Sequence, residues 1–470
     1  MANNQRGFTS SIGAILAAAG GAVGLGNIWR FPYMLGQNGG GAFLLIYVVF
    51  VILIGIPLMM TEFVIGRRSQ SNVVGAYRKM GGKHKGWVSL GVLGIVAALL
   101  IYAFYSVVAG WTLNYVVLSC SGQLNGLAPD AVAQTFSDFS QGSYLPLIYQ
   151  FAFLILTGLV ITMGVQKGIE KVSKVLMPIL FILLLVMCVR SLTLSGASQG
   201  LNFLFKPDFG KITGKGVLEA LGQSFFSLSL GMGAMITYGS YIRKEDKLLK
   251  TSTWIAVCDS LVAILAGIVI FPAVFAFGMD PAGGPELVYI VLPNVFNSMP
   301  FGNIFSIVFF VLLGIAALTS TISLLEILVA FAVEELHWKR GTASVVASLM
   351  VFAIGAFCAL SFGPLKEFTI FGKTVFDLFD MLTASYIMPI GALLMVIFLG
   401  WFYPKAGVRD ELSNGGTLKA RFFGIYYFLI RYIAPLALIV IIIYGTIGFD
   451  WVDVVINYLK DWIDALQKFF

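Results

Sequence analysis

The chain has 470 residues, of which 59% are hydrophobic and 11% are charged, and its formal net charge is +7. This composition excludes a soluble globular protein, because so few charged side chains could not cover a water-exposed surface. It predicts an all-α polytopic membrane protein in which residues 1–470 form a single transmembrane domain.

Eleven apolar stretches are long enough to cross a bilayer, which takes about 20 helical residues. The segment 450–470 differs, because its polar residues recur at helical spacing on one side. We predict an amphipathic interfacial helix there, with a twelfth span as the alternative. The predicted spans are 10–35, 41–66, 88–119, 144–164, 172–193, 216–241, 252–278, 304–333, 343–361, 376–401 and 421–448.

Most of the positive charges fall in alternate loops, as expected when positively charged loops stay on the inner side of a membrane. The positive net charge is therefore explained by the membrane topology and does not indicate a nucleic-acid partner. If the N-terminus lies inside, most lysines and arginines fall in inner loops, such as the basic stretch 67–86, which we expect to lie on the membrane surface. Eleven spans then place the C-terminus outside, and we expect a cytoplasmic (inner) membrane location. The outer loops contain Arg190, Lys206, Lys211, Lys215, Lys366 and Lys373.

Two predicted helices are interrupted by glycine. The first contains "GGAVGLGN" (20–27), and the sixth contains "SLSLGMGA" (227–234). Because five spans separate them, the two helices run in opposite directions, and paired interrupted helices indicate a transporter binding site. Gly20 and Gly24 also form a GxxxG motif, which is common in helix packing. Polar residues beside the breaks favour the binding site.

Glu62, Asp259 and Glu326 are carboxylates that fall inside predicted spans. A carboxylate in an apolar helix is costly, so each is a candidate for function. For Asp259 the alternative is a carboxylate paired only for structure. For Glu326 the sequence does not decide between a protonated carboxyl satisfied by packing and a transport role.

Several motifs together resemble the neurotransmitter:sodium symporter family. They are "GLGNIWRFPY", "NGGGAF", "GIPLMMTEFVIGR", "QSFFSLSLGMG", "AALTSTIS" and "FDLFDM", and they follow the family order over nearly the whole chain. The resemblance implies two inverted five-helix repeats with helices 1 and 6 broken, plus helix 11, as in bacterial amino-acid transporters of the eleven-helix type.

The resemblance also implies the ion ligands. Sodium 1 would be held by Ala22, Asn27, Ser227 and Asp259, together with the substrate carboxylate. Sodium 2 would be held by Gly20, Val23, Ala316, Thr319 and Ser320. All of these ligands are oxygens, which suit a hard cation. The structural alternative for the Thr319 and Ser320 hydroxyls is a hydrogen bond to the preceding helical turn. Chloride would not be required, because Asp259 would supply the balancing negative charge.

Gate and support residues follow from the same resemblance. Arg30 and Asp380 would close the outer path, since a guanidinium and a carboxylate form a directional pair that can still separate. Arg6 and Glu334 would close the inner path, although the family's usual arginine motif is altered here to Arg6-Gly-Phe8. Two further residues would support these parts, with Tyr241 steadying the inner gate and Glu62 bonding the unwound part of helix 6.

The implied substrate is a large hydrophobic or aromatic neutral L-amino acid. Amine-transporting relatives carry an aspartate where this chain has Gly24, so the substrate must bring its own carboxylate, which Tyr105 would bond. An apolar pocket would bury a charged substrate side chain unpaired. The substrate-binding residues would be Gly21, Ala22, Gly24, Leu25, Gly26, Ile101, Tyr105, Phe226, Ser227, Ser229, Met232, Ser320 and Leu324.

We therefore predict a sodium-coupled symporter that works by alternating access and is not an enzyme. The two histidines, His84 and His337, lie in predicted inner loops, and no HExxH motif is present. A proton-coupled carrier and a membrane amino-acid sensor on the same fold are the alternatives. The expected partners are an amino-acid substrate, two Na⁺ ions as coupling ions and the lipid bilayer. No nucleic acid is expected. A monomer should suffice for transport, and the oligomeric state stays open.

Overall fold

The structure is a computed structural model that describes residues 7–281, 288–418 and 420–447. Within these residues the fold is all-helical, as predicted, because a bilayer leaves no water to satisfy unpaired backbone groups. The helices are α1 Ser11–Ala22, α2 Gly26–Gln37, α3 Gly41–Ser69, α4 Val73–Met80, α5 Lys85–Cys120, α6 Pro129–Ser140, α7 Leu145–Thr162, α8 Val165–Leu192, α9 Ala197–Phe205, α10 Gly214–Ser227, α11 Ala234–Gly239, α12 Leu248–Ala276, α13 Val291–Asn297, α14 Gly302–Glu335, α15 Arg340–Leu360, α16 Val375–Phe402, α17 Lys405–Ser413 and α18 Phe423–Ile443.

Nine helices in the described part of the chain are long and apolar enough to cross a membrane. The pair α1 and α2 makes a tenth if the two are one span, and they meet at a bend of 48°. The predicted sixth span, 216–241, is divided into α10 and α11 around residues 228–233. The segment 450–470 lies outside the described residues, so its interfacial helix stays a prediction.

The loop after α3 was expected on the membrane surface, and the structure corrects this. α4 forms within this loop, and its residues Val73, Val74 and Tyr77 are buried. Asn72 caps the helix by accepting hydrogen bonds from the N–H groups of Val74 and Gly75. The apolar residues of α4 therefore pack against the bundle, and only part of this basic stretch is exposed.

Long helices surround the two broken ones. α5 packs extensively along α14, and it also contacts α7 and α15. The short α1 packs against α12, α14 and α8, so its end at Ala22 lies deep inside the protein. Both breaks are thereby held in the centre of the bundle, where only protein groups or a ligand can satisfy the exposed backbone.

Candidate functional site

The first break separates α1 from α2 at residues 23–25. Val23 has an extended backbone, with φ −69° and ψ 110°, so the helix stops and its carbonyl turns away from the helix axis. That carbonyl oxygen lies 3.4 Å from the Thr319 hydroxyl and 3.3 Å from the Ser320 hydroxyl of α14. The break thus presents backbone oxygen to side-chain oxygens of a neighbouring helix.

The second break separates α10 from α11. Gly231 and Gly233 have φ values of 84° and 79°, and Ser229 also has a positive φ of 54°. These values explain the glycines, because left-handed backbone is costly for residues with a Cβ atom.

Glu62 of α3 satisfies the second break. Its carboxylate accepts hydrogen bonds from the N–H groups of Gly231 at 2.7 Å, Met235 at 3.0 Å and Ile236 at 3.2 Å. The Glu62 side chain is fully buried, so one anionic group satisfies three donors that water cannot reach. The structure places this residue at the unwound part of the sixth predicted span, between α10 and α11, where the sequence analysis expected it.

A buried polar cluster connects the two breaks through Asp259 of α12. The Asn27 amide nitrogen lies 2.8 Å from Asp259 Oδ1, 3.0 Å from the Asp259 carbonyl oxygen and 3.0 Å from Ser227 Oγ. Ser227 donates to Asp259 Oδ2 at 2.7 Å, and Tyr47 donates to the same oxygen at 3.0 Å. Three of the four residues expected around sodium 1 therefore lie in direct contact.

The orientation of Asn27 within this cluster is specific. Its amide oxygen accepts a hydrogen bond from Gly24 N at 3.0 Å, while its NH₂ group faces the oxygens of Asp259 and Ser227. The partly positive NH₂ group thus lies among the oxygens that would surround a cation. Turning the amide over would bring its oxygen to these ligands.

The residues expected around sodium 2 also come together. Thr319 Oγ1 lies 3.0 Å from the Ala316 carbonyl oxygen, 3.2 Å from that of Ile315 and 3.4 Å from that of Val23. The hydrogen bond to the preceding turn is therefore present, and the same hydroxyl also reaches the first break. A Cβ atom on Gly20 would lie 3.2 Å from Thr319 Cβ, so the glycine allows α1 and α14 to approach closely.

A cavity opens between the two breaks. None of its lining residues is charged. Two of them, Ser323 and Met388, were not expected, while Leu25 and Ser227 were expected but lie outside the lining. The lining residues are Gly21, Ala22, Gly24, Gly26, Ile101, Tyr105, Phe226, Ser229, Met232, Ser320, Ser323, Leu324 and Met388.

Hydrogen bonds shape one end of this cavity. The Leu25 N–H donates to the Tyr105 hydroxyl at 2.8 Å, and the Ser229 hydroxyl donates to the Gly21 carbonyl at 3.2 Å. A Cβ atom on Gly24 would lie 2.6 Å from the Tyr105 hydroxyl oxygen and would overlap Ser320 Oγ. An aspartate at this position could not be accommodated without moving its neighbours.

The expected outer gate is not closed as an ion pair. Within the described residues, no nitrogen of Arg30 lies within 4.0 Å of a carboxylate oxygen of Asp380. Arg30 Nη1 instead donates to Gln223 Oε1 at 3.2 Å, and the guanidinium carbon lies 4.4 Å from the centre of the Phe226 ring. Gln223 also donates to the Gly26 carbonyl at 3.0 Å, so it links Arg30 to the first break.

The inner gate can be described only in part, because Arg6 lies outside the described residues. Glu334 accepts hydrogen bonds from the backbone N–H of Asn72 at 2.7 Å and from its side chain at 3.0 Å. Phe8 is buried, and its ring meets those of Tyr238 and Tyr241 edge-on at 6.0 and 5.9 Å.

Tyr241, which was expected to steady the inner gate, bonds the intramembrane acid Glu326. Its hydroxyl donates to Glu326 at 2.7 Å, and Arg340 forms an ion pair with the same carboxylate. Glu326 is fully buried, so Arg340 supplies the counter-charge that an intramembrane acid requires. Glu326 is therefore a paired carboxylate in this structure.

The structure adds Tyr47, Gln223, Ser323, Arg340 and Met388 to the residues of the site. Gln223 and Tyr47 carried a weak signal, because each is a polar group inside an apolar span. In the sequence, Arg340 falls in a predicted basic loop and Met388 in an apolar run, where nothing distinguishes them from their neighbours. Among the described residues, no three His, Cys, Asp or Glu side chains cluster as a metal site would.

Two broken helices that face each other across an uncharged cavity, with oxygen clusters at the breaks, define a membrane transporter. The family model for the sodium:neurotransmitter symporter family matches residues 5–132 and 144–465. The chain belongs to this family, so it is a sodium-dependent transporter and not an enzyme.

Individual relatives agree with this assignment. The chain is 44% identical over 434 residues to "Uncharacterized sodium-dependent transporter YhdH" of Bacillus subtilis, covering 92% of this chain and 96% of that protein. An uncharacterized sodium-dependent transporter of Haemophilus influenzae is 39% identical, with 94% and 98% covered. Among solved structures, MhsT in complex with L-phenylalanine is 43% identical with a TM-score of 0.87, covering 94% of this chain and 100% of MhsT.

Proposed function

We propose that the protein is a symporter that couples the import of large neutral L-amino acids, aliphatic or aromatic, to the entry of two sodium ions. The observation that carries this proposal is the uncharged cavity between the two breaks. Its lining includes the apolar residues Ile101, Met232 and Leu324 and several residues of the first break. The complex of the related MhsT with L-phenylalanine supports the same substrate class.

The substrate carboxylate is proposed to lie at the start of α2, beside Tyr105. The Tyr105 hydroxyl accepts from Leu25 N–H, so it has a proton with which to bond a carboxylate oxygen. Backbone N–H groups at a helix start favour an anion. The substrate ammonium would meet carbonyl oxygens of the broken helices and Ser229, while its side chain would fill the apolar part of the cavity.

Sodium 1 is proposed to lie among Asp259, Ser227, Asn27 and the Ala22 carbonyl, with the substrate carboxylate completing the set. For this the Asn27 amide must turn, so that its oxygen replaces the NH₂ group among the ligands. Sodium 2 is proposed to lie among the Gly20, Val23 and Ala316 carbonyls and the Thr319 and Ser320 hydroxyls. Asp259 would take the place of chloride, so chloride would not be required.

Alternating access is proposed to depend on Arg30 and Asp380 outside and on Arg6 and Glu334 inside. Arg30 contacts Gln223 and Phe226, which orient its guanidinium. Closing the outer path would bring the Asp380 carboxylate into an ion pair with this guanidinium. The basic loops place the N-terminus inside and, with eleven spans, the C-terminus outside the cytoplasmic membrane.

The test is uptake by the purified protein in liposomes. We expect radiolabelled tryptophan, phenylalanine or leucine to accumulate with an inward sodium gradient, and not when choline replaces sodium. Tryptophan should compete for the site while tryptamine should not, because tryptamine lacks the carboxylate that ligates sodium 1. Leucine and phenylalanine should compete with each other, since apolar substrates differ by only about 1–3 kcal/mol per methylene. Sodium-independent uptake, or equal competition by tryptamine, would refute the proposal.

A further inference from the structure

Arg431 lies in the middle of α18, and the transport mechanism above does not use it. It is eight residues after Phe423, which places it about 12 Å along the helix from the start of this span. An intramembrane arginine is costly and needs a partner. In the described part of the chain, no carboxylate forms an ion pair with Arg431, and its Nε atom is buried without a hydrogen-bond partner.

Aromatic rings surround the Arg431 guanidinium. Its central carbon lies 4.4 Å from the centre of the Trp401 ring, 5.7 Å from that of Tyr432 and 5.9 Å from that of Tyr427. Trp401 and Tyr432 are 56% and 49% exposed, so this side of the bundle faces the lipid. The rings orient the cation without neutralising its charge.

The backbone around Arg431 is fixed in place. Residues Leu429–Ile433 and Phe398–Phe402 form two π-helical turns, which often occur at functional sites. Trp401 Nε1 donates to the Arg431 carbonyl at 3.0 Å, and the Tyr427 hydroxyl donates to the Gly400 carbonyl at 2.8 Å. One carbonyl of each wide turn is therefore satisfied across the helix pair.

Two further cations lie beside Arg431. The Lys405 amine is 5.0 Å from the centre of the Tyr427 ring, which Arg431 contacts from 5.9 Å, so the two charges are at most about 11 Å apart. Lys405 and Arg409 lie one turn apart on α17, and both contact the Phe423 ring, at 5.9 and 6.0 Å. Lys405 and Arg409 are exposed.

The acidic residues of α17 are engaged elsewhere. Glu411 bonds Arg67 at 2.5 Å and Lys244 at 3.1 Å, and Asp410 bonds Arg68 at 2.9 Å. α17 therefore directs its acids towards the end of α3 and its cations towards α18. The result is a lipid-facing surface with three cations and no carboxylate paired to them among the described residues.

We propose that this surface, formed by Lys405, Arg409 and Arg431 with Trp401, Phe423 and Tyr427, binds the headgroup of an anionic phospholipid. A phosphate accepts two parallel hydrogen bonds from a guanidinium, which suits Arg431, while Lys405 and Arg409 add charge nearer the membrane surface. Basic pockets between membrane helices recognise anionic headgroups in this way. The acyl chains would lie against the exposed apolar side chains of α18, such as Ile425 and Leu436.

The experiment measures bound phosphatidylglycerol by native mass spectrometry while this lipid is titrated into the purified full-length protein. Phosphatidylcholine is the comparison lipid. We expect wild-type protein to retain phosphatidylglycerol preferentially. Arg431→Gln should weaken this binding about fivefold, and Lys405→Gln should add a further loss of similar size, as expected for cations that each attract an anionic headgroup.

Arg190→Gln is the matched control, because Arg190 also lies over an aromatic ring, 5.8 Å from the centre of Phe305, at the far end of α8. It should leave phosphatidylglycerol binding unchanged. If Arg431→Gln does not fold, the exposed substitutions Lys405→Gln and Arg409→Gln test the same surface. Equal retention of phosphatidylglycerol by these variants and wild type, or an equal loss in Arg190→Gln, would overturn the proposal.

Discussion

The amide nitrogen of Asn27 lies 2.8 Å from a carboxylate oxygen of Asp259, joining the break in the first span to an acid in α12. Both side chains are fully buried, and a hydrogen bond to a charged group is worth about 1.5–3 kcal/mol. A sodium ion at this position must replace that donor. The contact therefore links the two helices, and a sodium ion bound as proposed would replace this amide donor of Asp259 with a cation.

Asp259→Asn tests whether this carboxylate replaces chloride. Wild-type uptake should be unchanged when gluconate replaces chloride. Because the substitution removes the formal charge facing sodium 1, the apparent sodium affinity should fall at least about tenfold, or 1.4 kcal/mol. Chloride should partly restore uptake by this variant. Cys258→Ala, at the adjacent residue, serves as the control, and a wild-type protein that stops in gluconate would contradict the assignment.

Gly24→Ala tests how closely the first break is packed against the cavity. The added Cβ atom would lie 2.6 Å from the Tyr105 hydroxyl oxygen, so Tyr105 and Ser320 must move. We expect uptake to fall at least about tenfold, since small displacements at a binding site are costly. Gly222→Ala is matched to it, because a Cβ atom at Gly222 meets nothing within 4 Å. Equal uptake by both variants would show that the space at Gly24 is not needed.

Glu62→Ala tests the support of the second break. The substitution leaves the N–H groups of Gly231, Met235 and Ile236 without their acceptor, and each unpaired buried group costs about 1–3 kcal/mol. We expect substrate binding to be lost and the thermal unfolding temperature in detergent to fall. Thr61→Val alters a neighbouring buried residue that bonds Pro57 and Tyr426, away from the break. It should retain binding, and retention by Glu62→Ala as well would be contrary to this role.

Arg30→Ala and Asp380→Ala test the outer gate. If the two residues close the outer path, both substitutions should impair transport more than sodium-dependent substrate binding. Arg30→Lys should be intermediate, because lysine keeps the charge but loses the planar group that lies over Phe226. Parallel measurements of uptake and equilibrium binding distinguish the two effects. Normal transport by both alanine variants would exclude the gate.

Glu326→Gln and Arg340→Gln test the buried ion pair beneath Tyr241. Either substitution leaves one charge without its partner, which costs about 3–5 kcal/mol for a buried pair. The double variant should be less destabilised than the sum of the two single variants, because it leaves neither charge uncompensated. Thermal unfolding of the four proteins measures the difference, and strict additivity would mean that the two groups do not depend on each other.

Much of the site could be predicted because it rests on local chemistry. The glycines that break α1 and separate α10 from α11 are visible in the sequence, as is the carboxylate of Asp259 inside an apolar helix. Glu62 was placed at the second break by family resemblance, and its three backbone hydrogen bonds supply the physical reason. These features could be recognised one residue at a time, since a break or a charge in a lipid-spanning helix is unusual wherever it occurs.

Pairings between distant helices could not be predicted in the same way. Tyr241 bonds Glu326, and Arg30 donates to Gln223 rather than to Asp380. Which polar groups meet depends on how each helix is rotated about its axis and where it crosses its neighbours. Hydropathy does not encode that rotation when a helix is apolar on all sides, as α5 is.

By itself, the sequence determined that the chain is a helical membrane transporter, where its helices break and which oxygens are available for a cation. Hydropathy, the positions of glycines and the presence of acids within spans are local properties. They are informative because lipid cannot satisfy exposed backbone groups or charges. The tertiary structure alone decided that Met388 and Ser323 line the cavity, that Arg340 neutralises Glu326 and that α17 directs Lys405 towards Arg431. Each of these contacts requires side chains from different helices to come within a few ångströms of each other. Only the packing of the helices in the bundle determines which side chains do so.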